Sequence, residues 1–340
     1  MRDPLSLGRI CVNAGGGGFK GLAAVLGYLE PLIEKGFWID HFTGVSVSTL
    51  IGAKLSEAKT QSELRQKYRD VRAIADAIET RGPESVFKYS RATVVKHIFS
   101  ESFLSSDALR VLMKNFDPQK SVDSPMLFNF FVYDHDAQEY KMLSNHDEQF
   151  KKNPQLLKEA VIASASLPPA FPPLRVGDCV YSDGDCLHLS HIPECGCNTI
   201  FILFSRPQIY RQPVAQDFVA KHMPWLGNMY LHYSAAQYAV ESLEVRLLKT
   251  RLELSRLKLL VTKTQNGGWL MKKTLKFLGI KIASLFQDIL SPVRVAELYV
   301  DFPGTSALTL GTSSFAKDDL SKVRRRAAEV MEEKLIELLL

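Results

Sequence analysis

Long apolar runs are missing from this chain. No stretch of about 18 apolar residues is available to span a bilayer, and residues 1–14 lack the continuous apolar core of a signal peptide. The expectation is a soluble, cytoplasmic protein, with peripheral membrane contact or delivery to another cell without a cleavable signal as the other routes. Cysteine is scarce and odd in number, five in 340 residues, which argues for reduced thiols and against a disulfide framework. There is no internal repeat, and 46% hydrophobic with 23% charged residues is not the composition of a disordered chain. What remains is a globular protein large enough for one extended α/β domain or two domains.

Charge is unevenly spread. Residues 246–281 hold ten Lys or Arg against one Glu, so this segment carries +9 of the net +5 and the rest of the chain −4. Four of the five cysteines, Cys179, Cys186, Cys195 and Cys197, crowd together with His188 and His191. Their Cys-x-Cys spacing is not the usual zinc pattern, and the cluster reads as buried or loop thiols. No metal and no cofactor is expected.

The most informative stretch is Gly15-Gly16-Gly17-Gly18-Phe19-Lys20-Gly21, between an apolar run at 9–14 and a helical pattern at 22–35. A strand, a glycine turn and a helix aim backbone N–H groups at an anion. A P-loop would need Ser or Thr where Gly21 follows Lys20, so a nucleotide phosphate fits poorly. Gly16, Gly18 and Gly21 satisfy the dinucleotide pattern, but four adjacent glycines satisfy almost any glycine pattern. The remaining anion is the oxygen of a tetrahedral acyl intermediate, which calls for a nucleophile on a nearby strand-to-helix turn. Gly44-Val45-Ser46-Val47-Ser48 supplies one, with a short strand before it and a helical pattern at 49–59 after it. Ser48 stands where the elbow pattern has its second glycine, and the expectation is a strained turn that Ser48→Gly would relieve.

Further along, residues 61–80 show helical spacing, Ser106-Asp107 reads as the cap of a helix to 116, and 127–133 with 139–143 read as a hairpin. Residues 154–166 form a helix opened by proline, 176–182 a strand ending in Asp183-Gly184-Asp185, and 199–205 a buried strand. A carboxylate at a strand end beside a glycine is a common place for a catalytic group. After 213 the pattern turns helical, with segments 226–261, 269–290 and 314–340 and a late strand at 297–302. The last histidine, His232, precedes that strand, whereas a Ser, Asp, His hydrolase wants its histidine after it.

Together these residues resemble the patatin-like phospholipase family. The matching pieces are Gly16-Gly17-Gly18-Phe19-Lys20-Gly21, Gly44-Val45-Ser46, the block from Ala163-Ser164-Ala165-Ser166 through Phe171-Pro172-Pro173, and Asp183-Gly184, in that order over roughly residues 7–205. The resemblance implies a doubly wound, mostly parallel α/β sheet with a helical C-terminal extension, drawn as a catalytic region at 1–215 and a mostly helical region at 216–340 that returns one strand to the sheet. It implies a Ser–Asp dyad, with Ser46 as nucleophile, Asp183 as proton acceptor, Gly16, Gly17 and Gly18 as the oxyanion hole, and Lys20, Gly21, Gly44 and Gly184 in support. Asp185 departs from the small residue that ends the family's aspartate motif.

The expected activity is acyl hydrolysis of phospholipid or lysophospholipid through an acyl-serine, with release of fatty acid. The alternative is a catalytically silent lipid-binding or membrane-associated module, and a nucleotide-dependent enzyme is a third reading; nucleic acid is not an expected partner. Residues 269–290 place Met271, Leu275, Leu278, Ile282, Leu285, Phe286 and Ile289 on one helical face and Lys272, Lys273 and Lys276 on the other. With Trp269 at its start and the basic segment around it, this helix is expected to dock on anionic membrane.

Overall fold

A computed structural model describes residues 7–81, 106–168, 171–184, 187–189, 192, 196–205, 235–236, 238–254, 293–300 and 319–339. β1 (Ile10–Ala14) leads into α1 (Gly18–Glu34), β2 (His41–Gly44) into α2 (Val47–Leu55), and α3 (Gln61–Arg81) follows. Two short helices, α4 (Asp107–Leu112) and α5 (Pro118–Val122), precede the hairpin of β3 (Leu127–Asp134) and β4 (Glu139–Ser144). Next come α6 (Glu148–Lys152), α7 (Pro154–Ser164), β5 (Leu174–Val176), β6 (Cys179–Asp183) and β7 (Thr199–Phe204). Helical residues 238–254, here α8, then β8 (Arg294–Tyr299) and α9 (Asp319–Leu339) complete the described elements.

All eight strands join one sheet. Its hydrogen-bonded path runs β5-β6-β3-β2-β1-β7-β8, with β4 branching from β3. The β3–β2, β2–β1, β1–β7 and β7–β8 pairs are parallel, whereas β3–β4, β3–β6 and β5–β6 are antiparallel. The register settles which edge each neighbour uses. Val132 pairs with Lys141 of β4 and with Asp183 of β6, and Phe130 pairs with Leu143 of β4 and with Gly44 of β2. A strand has two edges, so β4 fills one of them and β2 and β6 follow each other, end to end, along the other.

Alternation along the strands sorts side chains onto two faces. Ile10, Val12 and Ala14 of β1, Phe42 of β2, Phe128, Phe130 and Val132 of β3, and Phe201 and Leu203 of β7 pack in one core with α1, α2, α3, α7 and α9. Cys11, Phe131, Ile200, Ile202 and Phe204 face the opposite way, under Leu187, Leu189, Ile192 and the α8 residues Val245 and Leu248. Helices therefore cover both faces, as a doubly wound sheet requires. The late strand β8 extends the sheet beside β7, and α9 lays Leu320, Val323, Ala327, Met331 and Leu335 into the first core. The boundary drawn at 215 falls outside the described residues.

Several elements differ in extent from the pattern reading. The strand expected at 176–182 is a hairpin, β5 and β6, in which Val176 pairs with Cys179 across a two-residue turn and Gly177 takes φ 61°. α1 begins four residues before the apolar periodicity, because the glycine turn itself starts the helix. α2 stops at Leu55, where the Ser56 hydroxyl donates to Ala53 O at 2.8 Å. α4 ends at Leu112, and Ser106 precedes it with helical φ and ψ and no side-chain cap bond, so the expected cap is absent.

α1 is buried nearly all round because it lies between the sheet and α9, and the crossing is closest at Gly27. A Cβ there would run into the Arg324 carbonyl and come within 2.8 Å of Ala327 Cβ. Arg324 in turn pairs with Asp76 and Glu79 of α3, which leaves the backbone it belongs to little freedom to retreat. Gly27→Ala is expected to destabilise the protein by about 1–3 kcal/mol through overpacking. Urea unfolding checks this, and an unchanged midpoint would mean the helices separate without cost.

Candidate active site

β1 delivers the chain to the glycine turn at the C-terminal edge of the parallel strands, where Gly15 N–H bonds to Leu203 O at 3.0 Å. Gly17 has φ 123°, which side-chain-bearing residues rarely adopt, and Gly18 follows at φ 55° as the first residue of α1. Gly16 lies against the nucleophile candidate, and a Cβ on it would sit 3.0 Å from Ser46 Cβ. The Ser205 hydroxyl donates to Gly16 O at 2.8 Å. In a trans peptide the N–H points opposite to the C=O, so this bond aims the Gly17 N–H away from Ser205. Gly21 packs beneath, since a Cβ there would meet Gly16 O at 2.6 Å. Lys20 is buried on the first turn of α1.

Ser46 sits at φ 58°, ψ −131°, an unfavourable backbone conformation for a residue with a side chain, costing about 1–3 kcal/mol. It occupies the N-cap position of α2 without making a side-chain cap bond, so its hydroxyl is not spent on the helix. The turn folds tightly back on β2, where a Cβ on Gly44 would lie 2.8 Å from Thr49 N.

Ser48 does not strain this turn, contrary to the reading from the motif. Its buried Oγ accepts from Val45 N at 2.8 Å and lies 2.7 Å from Ala14 O and 2.8 Å from Val45 O, with one proton to donate between those two carbonyls. The hydroxyl thereby ties the end of β1 to the elbow. Thr49 and Ser164 continue the stitching. Thr49 Oγ1 lies 2.9 Å from Ser164 Oγ, and Ser164 donates to Phe131 O at 2.7 Å, linking α2, α7 and β3.

Asp183 is 1% exposed and ends β6, where its N–H bonds to Ser166 O at 3.1 Å. It pairs with Val132, two levels along β3 from the partner of Gly44, and both lie on the same edge. At about 3.3 Å per residue, the end of β6 faces the end of β2 across about 7 Å. Asp183 also shares the sheet face of Phe130 and Val132, the face on which α2 packs. Gly184 abuts Phe131, whose Cβ would be 2.6 Å from a Cβ placed there.

His188, five residues after Asp183 in sequence, is directed elsewhere. Its Nδ1 is 3.6 Å from Glu244 Oε1, and its ring lies 5.1 Å from that of Phe131, which points to the face away from Asp183. The His188 imidazole beside it holds the Glu244 carboxyl below its ordinary range, helped by the Leu189 N–H at 3.0 Å. Among the described residues, Cys179 and Cys197 of the cysteine cluster belong to different packing clusters. Cys179 opens β6, Cys197 lies across the sheet beside Cys11 and His41, and Cys186, Cys195, His191 and Asp185 fall outside the described residues.

Pattern reading missed the positions that fasten the site. Ser205 carries no motif and is found only through the fold; Thr49 and Ser164 lie inside recognised blocks, but their sequence context does not say what they bond. Ser48→Gly is therefore expected to lower stability by about 1–3 kcal/mol, since it leaves the Val45 N–H and a buried carbonyl without their partner. Thermal unfolding beside the wild type checks the sign, and a Tm at or above wild type would restore the strained-turn reading.

No curated protein sequence matches the chain. Among solved structures, the crystal structure of VipD from Legionella pneumophila is similar at 11% identity and a TM-score of 0.42, over 97% of this chain and 66% of that one. The chain thus spans just under two thirds of that structure's length. The family model for patatin-like phospholipase matches residues 14–187, just over half of the chain and the span from the glycine turn past Asp183. With that match and the mostly parallel, doubly wound sheet, the chain belongs to the patatin-like phospholipase family.

Proposed function

We propose that this protein is a serine acyl hydrolase that releases fatty acid from phospholipid or lysophospholipid, with Ser46 and Asp183 as its dyad. The observation that carries the proposal is the convergence of three backbones: the unfavourable φ of Ser46, the glycine turn pressed against it, and the end of β6 directed at the end of β2. Ser46 Oγ attacks the ester carbonyl carbon as Asp183 takes its proton. The oxyanion lies at the N-terminus of α1, where the Gly16, Gly17 and Gly18 turn offers N–H donors and the helix dipole favours negative charge. Collapse breaks the ester bond, and Asp183 returns the proton to the leaving alkoxide. Water then attacks the acyl-Ser46 while Asp183 takes its proton, and Asp183 returns that proton to Ser46 Oγ as the acyl–oxygen bond breaks and the fatty acid leaves.

The placement of His188 on the other face supports a dyad over a triad. The silent-module reading loses one of its two motives, because Ser48 fits the turn. Ser46→Ala and Asp183→Asn are each expected to abolish ester hydrolysis while leaving thermal unfolding intact, and Ser46→Ala to abolish fluorophosphonate labelling. Near wild-type turnover by Asp183→Asn would remove the dyad.

A bilayer substrate needs a docking surface, and the basic segment is the proposed one. Its amphipathic portion with Trp269, Lys272, Lys273 and Lys276 lies outside the described residues. The described α8 enters the same segment and exposes Leu243, Leu247 and Leu254 beside Arg246 and Arg251. No described helix is long and apolar enough to cross a membrane. The Lys272, Lys273, Lys276 triple alanine variant is expected to co-sediment less than wild type with anionic liposomes at low salt, at about 1 kcal/mol per lysine near the surface. Equal binding by both proteins would return that segment to a purely structural role.

A further inference from the structure

On the sheet face opposite Asp183, below the level of the elbow, lies a buried polar layer that the hydrolytic chemistry does not use. Cys11 and His41 are cross-strand partners in the β1–β2 register, and Cys197 approaches them from the segment before β7. One donor atom from each of the three lies within 4.8 Å of the others, and all three residues are buried. We infer that Cys11, His41 and Cys197 form a binding site for a thiophilic divalent cation, with zinc as its ligand of choice, which clamps β1, β2 and the approach to β7.

Two asparagines on the adjoining row support this assignment. Asn13, Thr43 and Asn129 are register partners one row above Cys11 and His41 on the same face. Asn13 Nδ2 donates to Cys11 Sγ at 3.3 Å, the contact that stabilises a thiolate. Asn129 Nδ2 lies 2.9 Å from His41 Nε2, while Asn129 Oδ1, in a residue 4% exposed, has no hydrogen-bond partner. Which end of an asparagine amide faces a neighbour is an assignment, and turning this one over gives Oδ1 a donor in Nε2–H. His41 then presents Nδ1 as a lone-pair donor, with its tautomer fixed by a neighbouring oxygen as is usual for metal-bound histidine. Asn13 Oδ1 is a second buried oxygen without a partner in this layer.

Charge selects the cation. Two thiolates and a neutral imidazole around a divalent ion sum to zero, which a water-poor interior tolerates, whereas a monovalent ion would leave a buried negative charge. Binding releases two thiol protons, so affinity rises with pH. Zinc held by three protein donors keeps its fourth position for water. The ion acts as a clamp and takes no part in the proposed hydrolysis, because it lies on the face away from Asp183.

The test is cobalt and zinc loading of the full chain under reducing conditions. Wild type is expected to bind about one zinc and to give, with cobalt, tetrahedral visible bands and a thiolate-to-cobalt charge-transfer band. Cys11→Ser and Cys197→Ser should each weaken that band and Tm should no longer rise with zinc, Asn13→Ala should lower affinity about 10–100-fold, and Cys179→Ser should behave as wild type. The absence of a charge-transfer band in wild type, its survival in the Cys11→Ser, Cys197→Ser double variant, or a Cys11–Cys197 disulfide in freshly purified protein would each overturn the assignment. If Cys11→Ser fails to fold, the wild-type cobalt spectrum and Cys197→Ser still decide.

Discussion

β3 has two edges and three neighbours, and the site follows from that constraint. β4 pairs along residues 129–134 and leaves the other edge to β2 and β6, which meet between the levels of Phe130 and Val132. β2 cannot run on past Gly44 in the plane of the sheet, because Asp183 already holds the next level on that face. The chain must leave sharply, and Ser46 takes the conformation that lets it do so. Residues 139 positions apart in sequence are thereby brought into line by backbone hydrogen bonding, with no reliance on a flexible loop.

Strain at Ser46 persists because its surroundings allow no relaxed alternative. Ser48 grips both Val45 and the end of β1, Thr49 and Ser164 bind α2 to α7 and β3, and Ser205 holds Gly16 from the opposite side. These are short side chains with a single hydroxyl, nearly all buried. Buried hydroxyls destabilise unless bonded, so each one also selects against packings in which its partner is elsewhere. The result is a fastened first turn of α2 next to a glycine turn that is itself tied to β7 and Ser205.

The pieces of the candidate site stand out in the sequence because each rests on a local rule: glycine where backbone approaches backbone, a small residue before a strand-to-helix turn, a carboxylate ending a strand. Ser46 and Gly16 to Gly21 needed no knowledge of the fold. The role of Ser48 was misread because an elbow pattern treats a side chain there only as bulk, whereas one of its two carbonyl neighbours, Ala14 O, comes from a tertiary contact with β1. The β5–β6 turn hid for a different reason. Gly177-Asp178 interrupts an otherwise strand-like run, and alternation alone does not distinguish one strand from two short ones facing each other. Cys197 was grouped with its sequence neighbours, while its partners in space come from strands more than 150 residues earlier.

The helix that begins at the glycine turn is enclosed by α9, and Glu34 and Asp319 are 285 residues apart. During synthesis the apolar surface of α1 around Gly27 therefore stays uncovered until nearly the whole described chain has emerged. β7 pairs with β1 across 189 residues, which also makes this a slow topology to close. The glycine turn that starts α1 acquires its final surroundings late, after Ser46 and its strand can already be in place. An immature chain thus carries the Ser46 elbow without a firmly set glycine turn beside it, and the proposed hydrolysis waits on the order of assembly itself.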